Sequence, residues 1–401
     1  MRVLFLPAAI LSHFFPMVPL AWAARSAGDE VLVAGLPPLL ASVTAAGLSG
    51  VPVGGPYDLL GAVAGAAEQV RRETGEGPSA TGDLSGMSPE ARKLYVERRV
   101  APHAVAAGLM APDLVELIQA QPPDLVVSDP ITMVAPLVAE LAGVPLVHHL
   151  WGPQPASLRK FPGYGLAPES WPAELKELYG RHGVEPRVHH GVATVDPGPP
   201  SLQPAEVPGK LNGRYMCYNG PSAAPEWLRR PAERPRILLS WLTVDTVRDG
   251  QGPLPALVSA LAELDAEIVV AVRQADLERL PSLPDNVRLA PDLPLSTVMP
   301  TVRVAVNHGG TGTVLTAACH GVPQVIVPGN PGLAFNAECL AGSGAAVALD
   351  PEGLDPAEVA AAAAALLRDD APERKAAQAL RAENAEQPPP AQLHQTLREL
   401  A

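Results

Sequence analysis

Residues 304–328 constrain the fold more than any other part of this chain, because strand, turn, helix and strand follow one another there without a break. Residues 302–306 form a short apolar, β-branched run of the kind that makes a buried parallel strand. The turn NHGGTGT comes next, then a helix-compatible segment ended by Gly-Val-Pro, then a second apolar run at 324–327. This succession predicts an α/β fold with parallel strands connected through helices.

The glycine-rich turn of this unit has the composition of a diphosphate site. Glycines let the backbone approach a ligand without a Cβ in the way, and the helix that follows offers unpaired N–H groups and a positive dipole end. A histidine at the end of the strand would add one more donor. The alternative is a tight strand–helix turn without a ligand. The predicted diphosphate-binding residues are His308, Gly309, Gly310, Thr311, Gly312 and Thr313.

The rest of the chain repeats the strand–helix alternation in two halves, and a length of 401 residues favours two domains. We expect an N-terminal Rossmann-like domain at 1–205, a Pro/Gly-rich linker at 206–235 and a C-terminal Rossmann-like domain at 236–401. The last helix is expected to pack back on the N-terminal domain. Two such parallel sheets facing across a cleft would bind ligands between their carboxyl edges.

Composition excludes several classes of partner. The net charge is −13 and no run of Lys or Arg is present, which argues against nucleic acid. No apolar run approaches the length of a membrane span, and three cysteines without metal-type spacing favour a reduced cytoplasm. The apolar first 24 residues resemble a signal peptide, but His13, Pro16 and Pro19 interrupt them, so we interpret them as strand, loop and helix.

Three segments together resemble one family. They are SHFFPMVPLAWAARSAGDEV near the start, PDLVVSDPITMVAPLVAELAGVPLVHHLWGP in the middle, and NVRLAPDLPLSTVMPTVRVAVNHGGTGTVLTAACHGVPQVIVP around the glycine-rich turn. They resemble the antibiotic-type glycosyltransferases of the GT-B fold, which transfer sugars from nucleotide donors to natural products. The resemblance implies two facing Rossmann-like domains, with the acceptor on the first and the donor on the second.

The resemblance also implies a catalytic pair. His13 lies in the loop after the first strand, and histidine ordinarily titrates near neutral pH, which suits a general base for an acceptor hydroxyl. Asp129 follows the strand at 125–128 and would fix the tautomer of the imidazole and stabilise its protonated form. From the residues alone, a packed or capping histidine and a helix-starting Asp129-Pro130 remain alternatives.

Further donor-binding positions follow from the same resemblance. Thr243, after the strand at 236–240, would donate to a phosphate, and Leu293 lies at the nucleobase position, where Asp292 replaces the family's usual Trp. Gly332 and Leu333 align with an Asp and a Gln that bind sugar hydroxyls in the family. Because neither residue has a hydrogen-bonding side chain, we expect a deoxygenated sugar.

The predicted protein is therefore an inverting, metal-independent glycosyltransferase. It is expected to transfer a deoxysugar from a thymidine diphosphate donor to a hydrophobic aromatic or macrolide-like aglycone. No Asp-x-Asp motif follows a strand, so neither metal nor other cofactor is expected. A nucleotide-sugar epimerase and a degenerate, non-catalytic partner protein stay as alternatives. Incubation with donor alone would distinguish the epimerase, which would alter the donor sugar. The oligomeric state is open, with a homodimer as one candidate.

Overall fold

The computed structural model describes residues 1–78, 84–154, 160–203, 206–241, 253–274, 283–329 and 331–401. Thr243, predicted to contact a phosphate, lies outside these ranges. Within the described ranges, no helix has the length and apolarity needed to cross a membrane.

The strands of the first half, so far as they are described, form a seven-stranded parallel sheet in the order β3-β2-β1-β4-β5-β8-β9. A separate two-stranded ribbon, β6 and β7, follows β5 in the chain. The strands are β1 (Arg2–Leu6), β2 (Glu30–Gly35), β3 (Ser49–Pro52), β4 (Leu125–Ser128), β5 (Leu146–His149), β6 (Phe161–Pro162), β7 (Gly165–Leu166), β8 (Ala193–Pro197) and β9 (Lys210–Gly213).

The described strands of the second half form a six-stranded parallel sheet in the order β12-β11-β10-β13-β14-β15. They are β10 (Arg236–Ser240), β11 (Glu267–Val272), β12 (Val287–Pro291), β13 (Val302–Asn307), β14 (Gln324–Ile326) and β15 (Ala346–Ala348). Both sheets are thus of the parallel α/β type that the sequence predicts.

Helices connect these strands and cover the sheets. The first half contains α1 (Leu11–Phe14), α2 (Val18–Ser26), α3 (Pro37–Ala45), α4 (Leu59–Ala64), α5 (Ala66–Thr74), α6 (Pro89–Ala120), α7 (Ala135–Ala142) and α8 (Ala173–Arg181). The second half contains α9 (Leu254–Ala262), α10 (Leu295–Val298), α11 (Thr311–His320), α12 (Pro331–Gly342), α13 (Pro356–Leu367), α14 (Pro372–Glu386) and α15 (Pro390–Arg398).

The central strands are buried on both faces, which explains their continuous apolar runs. In β1, Val3 and Phe5 pack into one hydrophobic cluster, whereas Leu4 and Leu6 pack into another on the opposite face. Helix α15 returns to the first half of the chain, where Leu393 and Leu397 join the cluster of Val3 and Phe5. The C-terminal helix thereby packs the end of the chain against the first sheet.

Sequence patterns do not indicate three strands of the first sheet, the edge strands β3 and β9 and the interior strand β8. β3 and β9 occupy its two edges, and their sequences SGVP and KLNG contain no apolar run because one side of an edge strand needs no burial. β9 lies within residues 206–235, the predicted linker, so that segment contributes a strand to the first sheet before it crosses to the second. The division into domains at 205/206 itself stays a prediction.

Candidate active site

His13 and Asp129 lie together at the carboxyl edge of the first sheet. His13 is in α1, soon after β1, and Asp129 immediately follows β4, which pairs with β1 in parallel. The distance between His13 Nδ1 and Asp129 Oδ2 is 3.7 Å, an ion-pair separation that is longer than a hydrogen bond. His13 is 8% exposed and Asp129 is fully buried. Parallel pairing therefore brings the two residues of the predicted pair together.

The Asp129 carboxylate is held by the backbone. Its Oδ2 accepts a hydrogen bond from the Ala8 N–H at 2.7 Å, and its Oδ1 accepts one from the Ile131 N–H at 2.9 Å. Burial raises the pKa of Asp129, but the neighbouring His13 and these two N–H groups outweigh it, and the pKa lies below its ordinary value. Helix α7 begins only at Ala135, so Asp129 does not cap it. The carboxylate is ionised at neutral pH and faces His13 Nδ1.

Two further aromatic side chains surround His13. The ring of Trp151 stacks on the imidazole with centroids 3.8 Å apart and planes inclined by 31°. His103, in the middle of α6, is close enough to interact electrostatically with both Asp129 and His13; burial lowers its pKa to about 4. It is one of the residues around a small, mostly apolar cavity that also touches Ala8. Trp151 belongs to the segment ending in HLWGP, but nothing in the sequence placed its ring on His13, and a lone mid-helix histidine such as His103 has no diagnostic spacing.

The glycine-rich turn at the end of β13 has the geometry of an anion site. Gly310 is the N-cap of α11, and the first turn of that helix, which includes Gly312 and Thr313, contains no acidic residue. The Asn307 side chain accepts a hydrogen bond from the Gly309 N–H at 2.8 Å. Gly309 has a φ of 88°, and a Cβ there would lie 2.8 Å from the Leu333 carbonyl oxygen. The turn therefore requires a glycine at this position.

His308 is oriented within this turn by a backbone carbonyl. Its Nδ1 is 3.3 Å from the carbonyl oxygen of Ser240, the last residue of β10, so this nitrogen carries the donated hydrogen. A Cβ on Gly310 would lie 3.0 Å from His308 Nε2. The absence of a side chain at Gly310 thus leaves Nε2 on the side of the helix N-terminus, where a phosphate would lie.

Helix α12 contacts the glycine-rich turn and supports it through a side-chain amide. Asn336, which is buried, donates hydrogen bonds through Nδ2 to the Gly309 carbonyl oxygen at 2.8 Å and to Thr311 Oγ1 at 3.0 Å. Gly332 and Leu333 lie half-buried in the first turn of α12, with the Leu333 carbonyl next to Gly309. The two predicted sugar positions are therefore adjacent to the glycine-rich turn. The supporting role of Asn336 was not predicted.

The predicted nucleobase position lies at the carboxyl end of β12. Asp292 has a φ of 49°, and its Oδ1 accepts a hydrogen bond from the Gln274 N–H at 3.3 Å. Leu293 is half-buried against the cluster formed by α10, β10 and β13. Asp292 thus supports the neighbouring loop, and it does not offer the flat stacking surface of the Trp that it replaces.

The carboxyl edges of the two sheets face each other. Gly152, just after β5, contacts α11 so closely that a Cβ there would overlap the Thr311 methyl group. Gly198, just after β8, lies opposite Leu315, where a Cβ would be 3.5 Å from Cδ2. The His13–Asp129 pair and the glycine-rich turn therefore belong to opposite walls of one cleft. Two parallel α/β sheets with this arrangement define the GT-B class of glycosyltransferases.

Comparison with known proteins agrees with this class. Two family models match: erythromycin biosynthesis protein CIII-like, N-terminal domain, at residues 22–241, and the corresponding C-terminal domain at residues 255–400. The chain is 34% identical to 3-alpha-mycarosylerythronolide B desosaminyl transferase of Saccharopolyspora erythraea, covering 100% of this chain and 98% of the relative. It is also 34% identical to aclacinomycin-T 2-deoxy-L-fucose transferase of Streptomyces galilaeus, covering 82% and 79%.

The fold matches solved glycosyltransferases over their whole length. The structure of glycosyltransferase VinC in complex with dTDP superposes with a TM-score of 0.79 at 29% identity, covering 100% of this chain and 98% of VinC. The chain belongs to the erythromycin biosynthesis protein CIII-like family. It is a GT-B glycosyltransferase of the antibiotic type, as the sequence motifs predict.

Proposed function

We propose that this protein transfers a deoxysugar from a thymidine diphosphate donor to a hydroxyl of a hydrophobic polyketide-type aglycone, with inversion at the anomeric carbon. The observation that carries the proposal is the placement of the buried His13–Asp129 pair opposite the glycine-rich turn, on the other wall of one cleft. The named activities of the relatives support the substrate classes, since they transfer desosamine or 2-deoxy-L-fucose, and VinC was solved with dTDP.

The chemistry needs one group to take a proton and another to receive the leaving diphosphate. With Nδ1 of His13 facing the Asp129 carboxylate, Nε2 is the nitrogen that accepts the proton of the acceptor hydroxyl. The oxygen then attacks the anomeric carbon from the side of the N-terminal wall, and the bond from that carbon to the diphosphate breaks. A direct displacement of this kind inverts the configuration. Asp129 stabilises the imidazolium that forms.

The diphosphate would leave toward the C-terminal wall. The N–H groups of Gly312 and Thr313, in the first turn of α11, lie at the positive end of the helix dipole. Because Nδ1 of His308 donates to the Ser240 carbonyl oxygen, His308 would donate through Nε2 to the same phosphate as the imidazolium, protonated on both ring nitrogens. These donors stabilise negative charge that grows on the diphosphate as the sugar departs. Gly309, Gly310 and Thr311 would shape the approach of the phosphates. Leu293 would lie against the nucleobase, and Gly332 and Leu333 near the sugar.

Removal of divalent metals is expected to leave activity intact, because the helix N-terminus and His308 supply the positive potential that a metal would otherwise provide. The measurement is the initial rate after dialysis against EDTA, with and without added magnesium. A rate that falls in EDTA and returns with magnesium would contradict metal independence.

The donor sugar is expected to be deoxygenated at the positions facing α12. Neither Gly332 nor Leu333 has a side chain that can hydrogen-bond a hydroxyl, and each buried hydroxyl left unpaired would cost about 1–3 kcal/mol. A methyl or methylene group would instead pack against Leu333. We therefore expect a higher kcat/KM with a thymidine-diphospho-deoxysugar than with UDP-glucose, compared across several acceptors. Equal or better use of UDP-glucose would refute this sugar assignment.

The decisive control for the reaction class is incubation with donor alone. A glycosyltransferase leaves the donor sugar unchanged, apart from slow hydrolysis, until an aglycone is added. A nucleotide-sugar epimerase would convert the donor into a stereoisomer, which proton NMR would detect. Mass spectrometry of the aglycone product, with its added sugar mass, then tests the transfer directly.

A further inference from the structure

The segment Trp151–Gly152, which leaves the carboxyl end of β5, contacts both walls of the cleft. The Trp151 ring stacks on the His13 imidazole with centroids 3.8 Å apart. The next residue, Gly152, is buried against α11, where a Cβ would overlap the Thr311 methyl and lie 3.2 Å from Leu315 Cδ1. Trp151 thus contacts His13 on the N-terminal wall of the cleft, and Gly152 contacts α11, the helix of the glycine-rich turn on the C-terminal wall.

The close approach at Gly152 is specific to that position. Gly198 meets the same helix from the adjacent strand β8, but a Cβ there would lie 3.5 Å from Leu315 Cδ2, which is ordinary van der Waals contact. At Gly152 any side chain would displace the Thr311 side chain or separate the walls. The space requirement at Gly152 therefore fixes how near the end of β5 can come to the start of α11.

We propose that Trp151 and Gly152 position the base relative to the donor. Stacking on Trp151 sets the plane of the His13 imidazole, and the contact of Gly152 with Thr311 sets the separation between that imidazole and the diphosphate site. Trp151 acts through the imidazole of His13 and Gly152 acts through Thr311, so both are positioning residues. The consequence is kinetic, because a displacement of about 1 Å between reacting groups lowers a rate by up to about 100-fold. This proposal rests on the proposed function, which makes His13 the base and α11 the donor helix.

The contact of Gly152 with Thr311 is tested by a double-mutant cycle. Gly152→Ala is expected to lower kcat/KM for the donor at least about 10-fold, since overpacking at a close contact separates the elements. Thr311→Ser removes the overlapping methyl but keeps the hydroxyl that Asn336 contacts. The double variant is therefore expected to recover to within about 3-fold of Thr311→Ser alone. Gly198→Ala adds a Cβ at a φ of 126° without an overlap, so it is the control for backbone strain alone, and it is expected to lower kcat/KM less than Gly152→Ala.

The stacking contact has a separate readout. Trp151→Leu is expected to lower kcat at least about 10-fold while the Kd for thymidine diphosphate changes less than about 2-fold, because the ring packs on His13 and on the core of the first half of the chain. Trp151→Phe retains an aromatic ring and is expected to keep kcat within about 3-fold. If Trp151 had only a general packing role, Trp151→Leu would lower stability, and kcat would not change separately from the Kd for thymidine diphosphate.

Each part has a result that overturns it. Wild-type kinetics in Gly152→Ala, or no recovery in the double variant, would refute the contact at Gly152; an unchanged kcat in Trp151→Leu would refute the stacking role. The same cycle measured as Tm reports the Gly152–Thr311 contact without any substrate. If the His13→Ala variant is active, the proposed function is wrong. That result is distinguishable from failure of this proposal, which the Gly152, Thr311 and Trp151 variants test.

Discussion

Replacement of His13 with alanine is expected to lower kcat at least about 100-fold while leaving the affinity for thymidine diphosphate nearly unchanged. His13 is buried at the cleft edge with Nδ1 facing the ionised Asp129, so the variant removes the group that would accept the acceptor proton. The predicted donor contacts lie on the opposite wall and are not altered. Steady-state kinetics and calorimetric titration with thymidine diphosphate measure the two quantities.

His189→Ala is a suitable control for this variant, because His189 is an exposed histidine to which no contact with substrate is assigned. It is expected to behave like the wild type. Asp129→Asn should reproduce part of the loss, since it removes the negative charge that stabilises the imidazolium. Near-normal turnover of His13→Ala with an alcohol acceptor would show that His13 is not the base.

The second large effect is expected from His308→Ala, which should weaken binding of thymidine diphosphate about 10-fold and lower kcat about 100-fold. The ring is fixed by the contact of Nδ1 with the Ser240 carbonyl oxygen, and Nε2 lies beside the N-terminus of α11. Because negative charge on the diphosphate grows in the transition state, loss of this donor should affect kcat more than ground-state affinity.

His320→Ala provides the matched control for His308→Ala. His320 is the last residue of the same helix, at the end opposite the glycine-rich turn, where its Nδ1 donates to the Thr316 carbonyl oxygen. Its replacement is expected to leave donor affinity and kcat within about 3-fold of the wild type. If both variants lost activity equally, the loss would reflect damage to α11 and not the removal of a donor at the diphosphate.

The fold class could be predicted because buried parallel strands and the turns that follow them are local patterns. The apolar runs of β1, β4, β10, β11 and β13 and the glycines after β13 are visible within a few residues of each other. Edge strands such as β3 and β9 lack that pattern, since burial on one side does not require an apolar sequence. Their assignment needs the hydrogen bonds of the sheet.

By itself, the sequence determined the α/β class, the glycine-rich strand–helix turn from His308 to Thr313, and the family to which the chain belongs. Only the tertiary structure decided which side chains approach those residues from elsewhere in the chain. Trp151 on His13 and Gly152 against Thr311 are contacts between segments far apart in sequence. The spacing of apolar residues indicates which face of a helix or strand is buried, but it does not indicate which other element covers that face.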